Sequence, residues 1–115
     1  MSIEQGQIFD FDFGPRKDPR IEGPHAVVIL QTDLLNQIPA YTLTLVAAIT
    51  SKERKSPTYV PLEPTVQSGL SKKSYVKCDQ IYTVPQAELG VLKGRIQSAE
   101  LWAVKQALKT VFDLT

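Results

Sequence analysis

Two apolar runs, each ending on one polar residue, dominate the hydropathy pattern of this chain. The first, Ala26-Val27-Val28-Ile29-Leu30, opens on His25, the only histidine. The second, Leu43-Thr44-Leu45-Val46-Ala47-Ala48-Ile49, closes on Thr50. Continuous apolar runs of this length, rich in β-branched residues, predict strands over 25–31 and 41–50, the former buried on both faces. Laid side by side and antiparallel, the start of one strand meets the end of the other. His25 and Thr50 then share one edge of a sheet, an imidazole beside a hydroxyl.

The rest of the pattern is mostly shorter strands. Residues 8–13, Ile-Phe-Asp-Phe-Asp-Phe, alternate as a half-buried strand does, and Gly14-Pro15 ends it. A long loop with Pro15, Pro19, Gly23 and Pro24 follows, and long loops in compact domains often carry function. Thr32 or Asp33 caps a single helical turn through 34–37. Residues 58–62 read as an edge strand, because Pro61 lacks a ladder donor. Residues 74–81 alternate, with Tyr75, Lys77, Asp79 and Ile81 on one face and Val76, Cys78 and Gln80 on the other. Pro85 opens a short turn of helix over 86–88, and a last strand runs near 91–96. Ser98 is the expected N-cap of a closing helix whose Leu101, Val104, Leu108 and Val111 form one stripe, with Ala107 and Phe112 beside it. The sum is a mainly β (α+β) chain: about six short strands with few helices between them. That favours a small, strongly bent antiparallel barrel with a C-terminal helix over a parallel α/β sheet.

Length and composition narrow the class. At 115 residues and 43% hydrophobic the chain is one domain, 1–115, able to bury a core without disulfides. One cysteine, Cys78, fits a reducing cytosol. No signal peptide and no apolar stretch of membrane-spanning length is visible, so a cytoplasmic protein without membrane attachment is expected. Net charge is +1, but basic residues gather as Arg16-Lys17 with Arg20, Lys52 with Arg54-Lys55, and Lys72-Lys73 with Lys77. As solvated loops these say nothing of function. On one face they would form a phosphate-binding groove.

The inventory of reactive groups is small. One His, one Cys and scattered carboxylates give no metal-ligand spacing, so neither metal nor cofactor is expected. No Gly-x-Ser-x-Gly elbow and no Gly-rich phosphate loop is present. What remains is metal-free chemistry with His25, hydroxyls, cations and Asp79. Cleavage of RNA by its own 2′-hydroxyl needs such a set: a base, an acid, and charge around the pentacovalent phosphorus. With a single histidine, the second proton carrier is a cation, a carboxylate, the Thr50 hydroxyl or water. Each residue also has a structural reading. His25 and Thr50 would then be ordinary strand ends, and Lys77 and Asp79 a same-face pair.

These motifs together resemble one family almost end to end. Gly6-Gln7-Ile8-Phe9 through Phe13-Gly14-Pro15, Gly23-Pro24-His25-Ala26-Val27-Val28-Ile29-Leu30 and Val46-Ala47-Ala48-Ile49-Thr50-Ser51 are similar to successive blocks of the MazF/PemK (Kid) toxins of bacterial toxin–antitoxin systems. Val60-Pro61-Leu62, Ser74-Tyr75-Val76-Lys77-Cys78-Asp79-Gln80-Ile81, Gly94-Arg95-Ile96 and the Ser98-led helix follow in order. The resemblance implies a small SH3-like barrel that forms a homodimer. It also implies a metal-independent endoribonuclease (an mRNA interferase) that cuts single-stranded RNA and is neutralised by a cognate antitoxin lying in the RNA groove. On it, Thr50 matches the catalytic threonine and Asp79 an acidic site position, with Lys77 where some members have arginine. Arg16, Lys17, Arg20, Ser51, Lys52, Lys77 and Gln80 then contact RNA, and His25, Thr50 and Asp79 carry catalysis.

Two positions depart from the family pattern. His25 stands where the catalytic arginine is expected, and Tyr82 where a second arginine is expected. In one account His25 takes over proton transfer, and Arg16, Arg20, Arg95 or Lys77 supplies the lost charge. In the other, the chain binds an antitoxin-like partner, RNA or a protein target such as gyrase without cutting anything.

Overall fold

The structure, a computed structural model, describes residues 2–15 and 21–114. Six antiparallel strands run β1 (Gln7–Asp12), β2 (Pro24–Ile29), β3 (Leu43–Thr50), β4 (Tyr59–Leu62), β5 (Ser74–Pro85) and β6 (Leu92–Arg95). They form one sheet in the order β4-β5-β3-β2-β1-β6, which curls into a half-barrel. Two helices complete the fold, α1 (Asp33–Asn36) and α2 (Ser98–Phe112), with a 3₁₀ turn at Gln86–Glu88.

The apolar runs have a direct explanation. The sheet has a core on each face, so a central strand needs apolar side chains at odd and even positions alike. On one side Val28, Ala47 and Ile49 pack with Ile8, Val60, Leu62, Val76 and Cys78, beneath Val104 and Ala107 of α2. On the other, Val27, Ile29, Val46 and Ala48 pack with Phe9, Phe13, Val84 and Leu89. The half-buried reading of β1 also holds, with Ile8 and Phe9 buried and Asp12 exposed.

Several local expectations are met and several are corrected. Thr32 does cap α1, its hydroxyl accepting the Leu34 amide at 3.3 Å. The closing helix instead takes Gln97 as its N-cap, because the Glu100 carboxylate reaches back to accept the Gln97 amide at 2.8 Å. The other Glu100 oxygen accepts the Glu63 amide at 2.9 Å and ties α2 to the end of β4. Phe112 does not extend the buried stripe but is exposed. β5 continues to Pro85, since Tyr82, Thr83 and Val84 find partners in Val46, Leu45 and Thr44 of β3. The strict alternation expected along 74–81 fails at a bulge. Ala47 faces Ile81 while Ala48 faces Lys77, so Cys78, Asp79 and Gln80 are extra residues in that ladder.

The edge strands β4 and β6 are joined by a turn rather than by a ladder. Residues 65–70 fold back onto β6, where the Arg95 amide donates to the Gln67 carbonyl at 2.9 Å. Gly69 and Gly94 make the approach close. A Cβ on Gly69 would lie 2.1 Å from the Lys93 carbonyl oxygen, and one on Gly94 would lie 2.2 Å from that of Gln67.

Cys78 is fully buried in the core beneath α2. Burial, with Asp79 beside it, pushes the thiol from its ordinary 9.0 up to about 12. A thiol-specific reagent at pH 8 is therefore expected to leave the folded protein unmodified and to react fully once it is unfolded in denaturant. The folded state keeps this proton where the unfolded state has lost it. Stability should accordingly fall as pH rises from 9.0 toward about 12.

Candidate active site

The β2–β3 register brings the two opening residues together. Val27 faces Ala48, Val28 faces Ala47 and Ile29 faces Val46. His25 lies two residues beyond Val27, and Thr50 two beyond Ala48. Both residues border one cleft of about 260 Å³, as do Ala26, Ile49 and Ser51 from the same strand ends. Ser71, Lys72 and Ser74 close it on one side, Asp10 and Lys93 on the other. Lys93 Nζ is 3.5 Å from Asp10 Oδ1.

Thr50 is held for donation. Its Oγ1 accepts the Lys52 amide at 3.2 Å, a turn that fixes the oxygen and leaves its own proton for another acceptor. His25 is braced from the core side. The Phe13 ring, buried, stands 6.4 Å from the imidazole at 61°, and Phe13 in turn packs on Tyr82 at 4.7 Å. Tyr82 thus sits among aromatic rings where the family pattern has arginine.

Thr50 also borders a second cleft, of about 360 Å³, with Lys52, Glu53, Arg54, Tyr59, Lys77 and Gln80. Three cations against one carboxylate give it a positive field. Lys77 Nζ lies 5.9 Å above the Tyr59 ring, a flat apolar face beside a charge. The β5 bulge explains how Gln80 comes to share this cleft with Lys77, despite the odd–even difference. Gln80 Oε1 accepts the Ile21 amide and the Tyr82 hydroxyl, both at 3.1 Å, anchoring the chain just before β2.

The residues singled out in the sequence therefore divide. His25, Thr50 and Ser51 line the first cleft, and Lys52, Lys77 and Gln80 the second. Asp79 is exposed on the bulge and lines neither cleft. Arg16, Lys17 and Arg20 lie outside the described residues. Arg95 bonds the Glu4 carboxylate and the Gln5 carbonyl, away from both clefts. The sequence pattern did not single out Asp10, Lys93 or Tyr59, and it offers Arg54 and Lys72 only as members of basic clusters. Among the described residues no group of three or more His, Cys, Asp or Glu could hold a metal ion. No helix there is long and apolar enough to cross a membrane.

Known proteins share this fold. An endoribonuclease MazF3 of Mycobacterium tuberculosis is 30% identical over 95 residues, covering 83% of this chain and 88% of the relative. Among solved structures, a mycobacterial endoribonuclease in complex with its cognate antitoxin superposes with a TM-score of 0.81 at 25% identity, over 98% of this chain and 97% of that one. The M. tuberculosis toxin MazF-mt6 gives 0.77 at 27% identity, over 96% and 99%. The family model of the PemK-like, MazF-like toxins matches residues 4–112. The fold, the ordered strand blocks and this match agree: the chain belongs to the PemK-like, MazF-like toxins of type II toxin–antitoxin systems.

Proposed function

We propose that this chain is an endoribonuclease toxin that cuts single-stranded RNA at the cleft shared by His25 and Thr50. The carrying observation is the β2–β3 register, which sets the residue bearing the sole imidazole beside one whose hydroxyl oxygen is fixed by a backbone amide, at a cleft both border. The mycobacterial relatives described as endoribonucleases support the same reading.

The chemistry follows from these groups. His25 removes the proton of the 2′-hydroxyl, whose oxygen attacks the adjacent phosphorus. Thr50 donates its hydroxyl to a non-bridging oxygen, where charge builds in the pentacovalent state. The bond from phosphorus to the 5′-oxygen then breaks, and that oxygen takes up a proton. The products are a 2′,3′-cyclic phosphate and a 5′-hydroxyl end. The second cleft, basic and floored by Tyr59, holds the neighbouring nucleotide by phosphate attraction and base stacking. Asp79, outside both clefts, takes no part in the bond-breaking step in this reading.

The protein works in the cytoplasm as a homodimer, in this reading, and a cognate antitoxin silences it by occupying the same groove. A segment that folds on binding suits an open, basic cleft. The described complex of a mycobacterial relative with its antitoxin supports such a partner.

The test uses purified protein, one defined single-stranded RNA and excess chelator. The expected result is cleavage with 5′-hydroxyl and 2′,3′-cyclic phosphate ends, suppressed when the antitoxin is added. RNA left intact under every condition, or ends bearing 5′-phosphate, would contradict the proposal.

A further inference from the structure

The face of the sheet that carries the His25 side chain also carries the second cleft. His25 is in step with Val27, and Thr50 with Ala48 and Val46, all three of them members of the core around Phe9 and Phe13. Lys77 of β5 faces Ala48, and Tyr59 of β4 faces Lys77, so both stand on that face as well. Beyond the β5 bulge Tyr82 packs against the same core, and the Gln80 side chain reaches its hydroxyl. A half-buried strip of Thr50, Lys77, Tyr59 and Gln80 thus continues from the imidazole along one surface.

Gln80 is locked in one orientation. Its Oε1 accepts two hydrogen bonds, from the Ile21 amide and from the Tyr82 hydroxyl, each at 3.1 Å. A backbone amide only donates, so the atom facing Ile21 is the oxygen and not the nitrogen. Two bonds fill the lone pairs of a carboxamide oxygen. Nε2 donates to none of the described residues, and the side chain lines the cleft with Tyr59 and Lys77. What Gln80 offers a ligand is therefore a pair of N–H donors and no acceptor. The residue that completes the lock is Tyr82, at the position where the family pattern has arginine.

A glutamine with both amide atoms available reads adenine by giving one hydrogen bond and accepting another. With its oxygen taken, Gln80 cannot do so. Its donors complement an exocyclic carbonyl and repel an exocyclic amino group. We propose that the second cleft is a base subsite selective for a keto base, with Gln80 as its specificity-determining residue. Uracil or guanine stacks on the Tyr59 ring, and its O4 or O6 accepts from Gln80 Nε2. Cytosine and adenine bring an amino group to the same place. The Lys77 ammonium, 5.9 Å above that ring, gives way to the base and moves to a phosphate. Lys52 and Arg54 hold the backbone without regard to sequence. This assignment rests on the reading that RNA is cut at His25 and Thr50. Thr50 borders both clefts, so the nucleotide read by Gln80 adjoins the cut.

The experiment measures single-turnover cleavage of one defined RNA whose nucleotides on each side of the cut are varied through all four bases. Binding of the same set, made with 2′-deoxy residues so that it cannot be cleaved, is measured beside it. At one of the two positions the full-length protein should favour U over C and G over A by roughly 5–20-fold, in rate and in affinity. Gln80→Glu keeps one oxygen for Ile21 and Tyr82 but turns an acceptor toward the base. Its preference should reverse to C and A, while the added charge weakens every substrate alike. Gln80→Met offers neither donor nor acceptor and should bring both pairs within about twofold. If the Gln80 variants slow all four substrates by one common factor and leave the ratios untouched, the residue is only structural and the assignment is overturned. A parent that cuts RNA without any keto preference also overturns it, and leaves the site at His25 and Thr50 standing. If no RNA is cut while the binding preference and its reversal persist, the subsite stands and the cleavage reading falls.

Discussion

Replacing Thr50 by alanine is expected to lower the RNA cleavage rate by roughly 10²–10³ while leaving the fold intact. Thr50 ends β3 and is only half-buried, so losing its hydroxyl opens no cavity in either core. What disappears is a hydroxyl whose oxygen is already fixed by the Lys52 amide and whose own proton is left for another acceptor. His25→Ala should cost a similar or larger factor, in the range of about 10²–10⁴ for loss of a positioned proton carrier. Single-turnover rates at one fixed pH, with circular dichroism to confirm folding, check both.

The second large effect is expected at Gly94. Alanine there places a Cβ 2.2 Å from the Gln67 carbonyl oxygen and 2.6 Å from the Ser68 backbone, contacts that backbone cannot relieve without moving. The 65–70 turn must lift from β6, breaking the 2.9 Å hydrogen bond from the Arg95 amide to Gln67. Overpacking costs about 1–3 kcal/mol, and the lost hydrogen bond roughly 1 more. For a chain of this size that is a fall in Tm on the order of 10 °C. Cleavage should fall too, because Gly69, Leu70, Ser71 and Lys72 form one wall of the cleft and Lys93 another. Thermal unfolding and a cleavage assay on the same preparation read both consequences. A Gly94→Ala protein with parental Tm and rate would mean that the turn does not hold the cleft together.

Much of the fold was legible in the sequence because burial on both faces leaves an unmistakable mark. The runs in β2 and β3 are continuous since Val28 and Ala47 serve one core while Val27 and Ala48 serve the other. Their ends placed the candidate site as well: antiparallel pairing of two such strands sets His25 near Thr50 without any further information. The bulges were not legible. An alternation pattern has no place for an extra residue, so it puts Gln80 on the wrong side of β5 and gives no sign of the bulge at Lys93. The one hint was Gly94, an isolated glycine in a short strand, which often marks a bulge or a close backbone approach. Likewise, Ser98 is the better N-cap by type, and only the reach of Glu100 back to Gln97 shifts the helix start by one residue.

The most direct measurement is the single-turnover cleavage rate of the His25→Ala, Thr50→Ala double variant beside each single variant. Two groups acting on one phosphate work as a unit, so the double variant should be little worse than the poorer single one. A double variant that cuts RNA at the parent rate would contradict the assignment of the cleft as the site of cleavage.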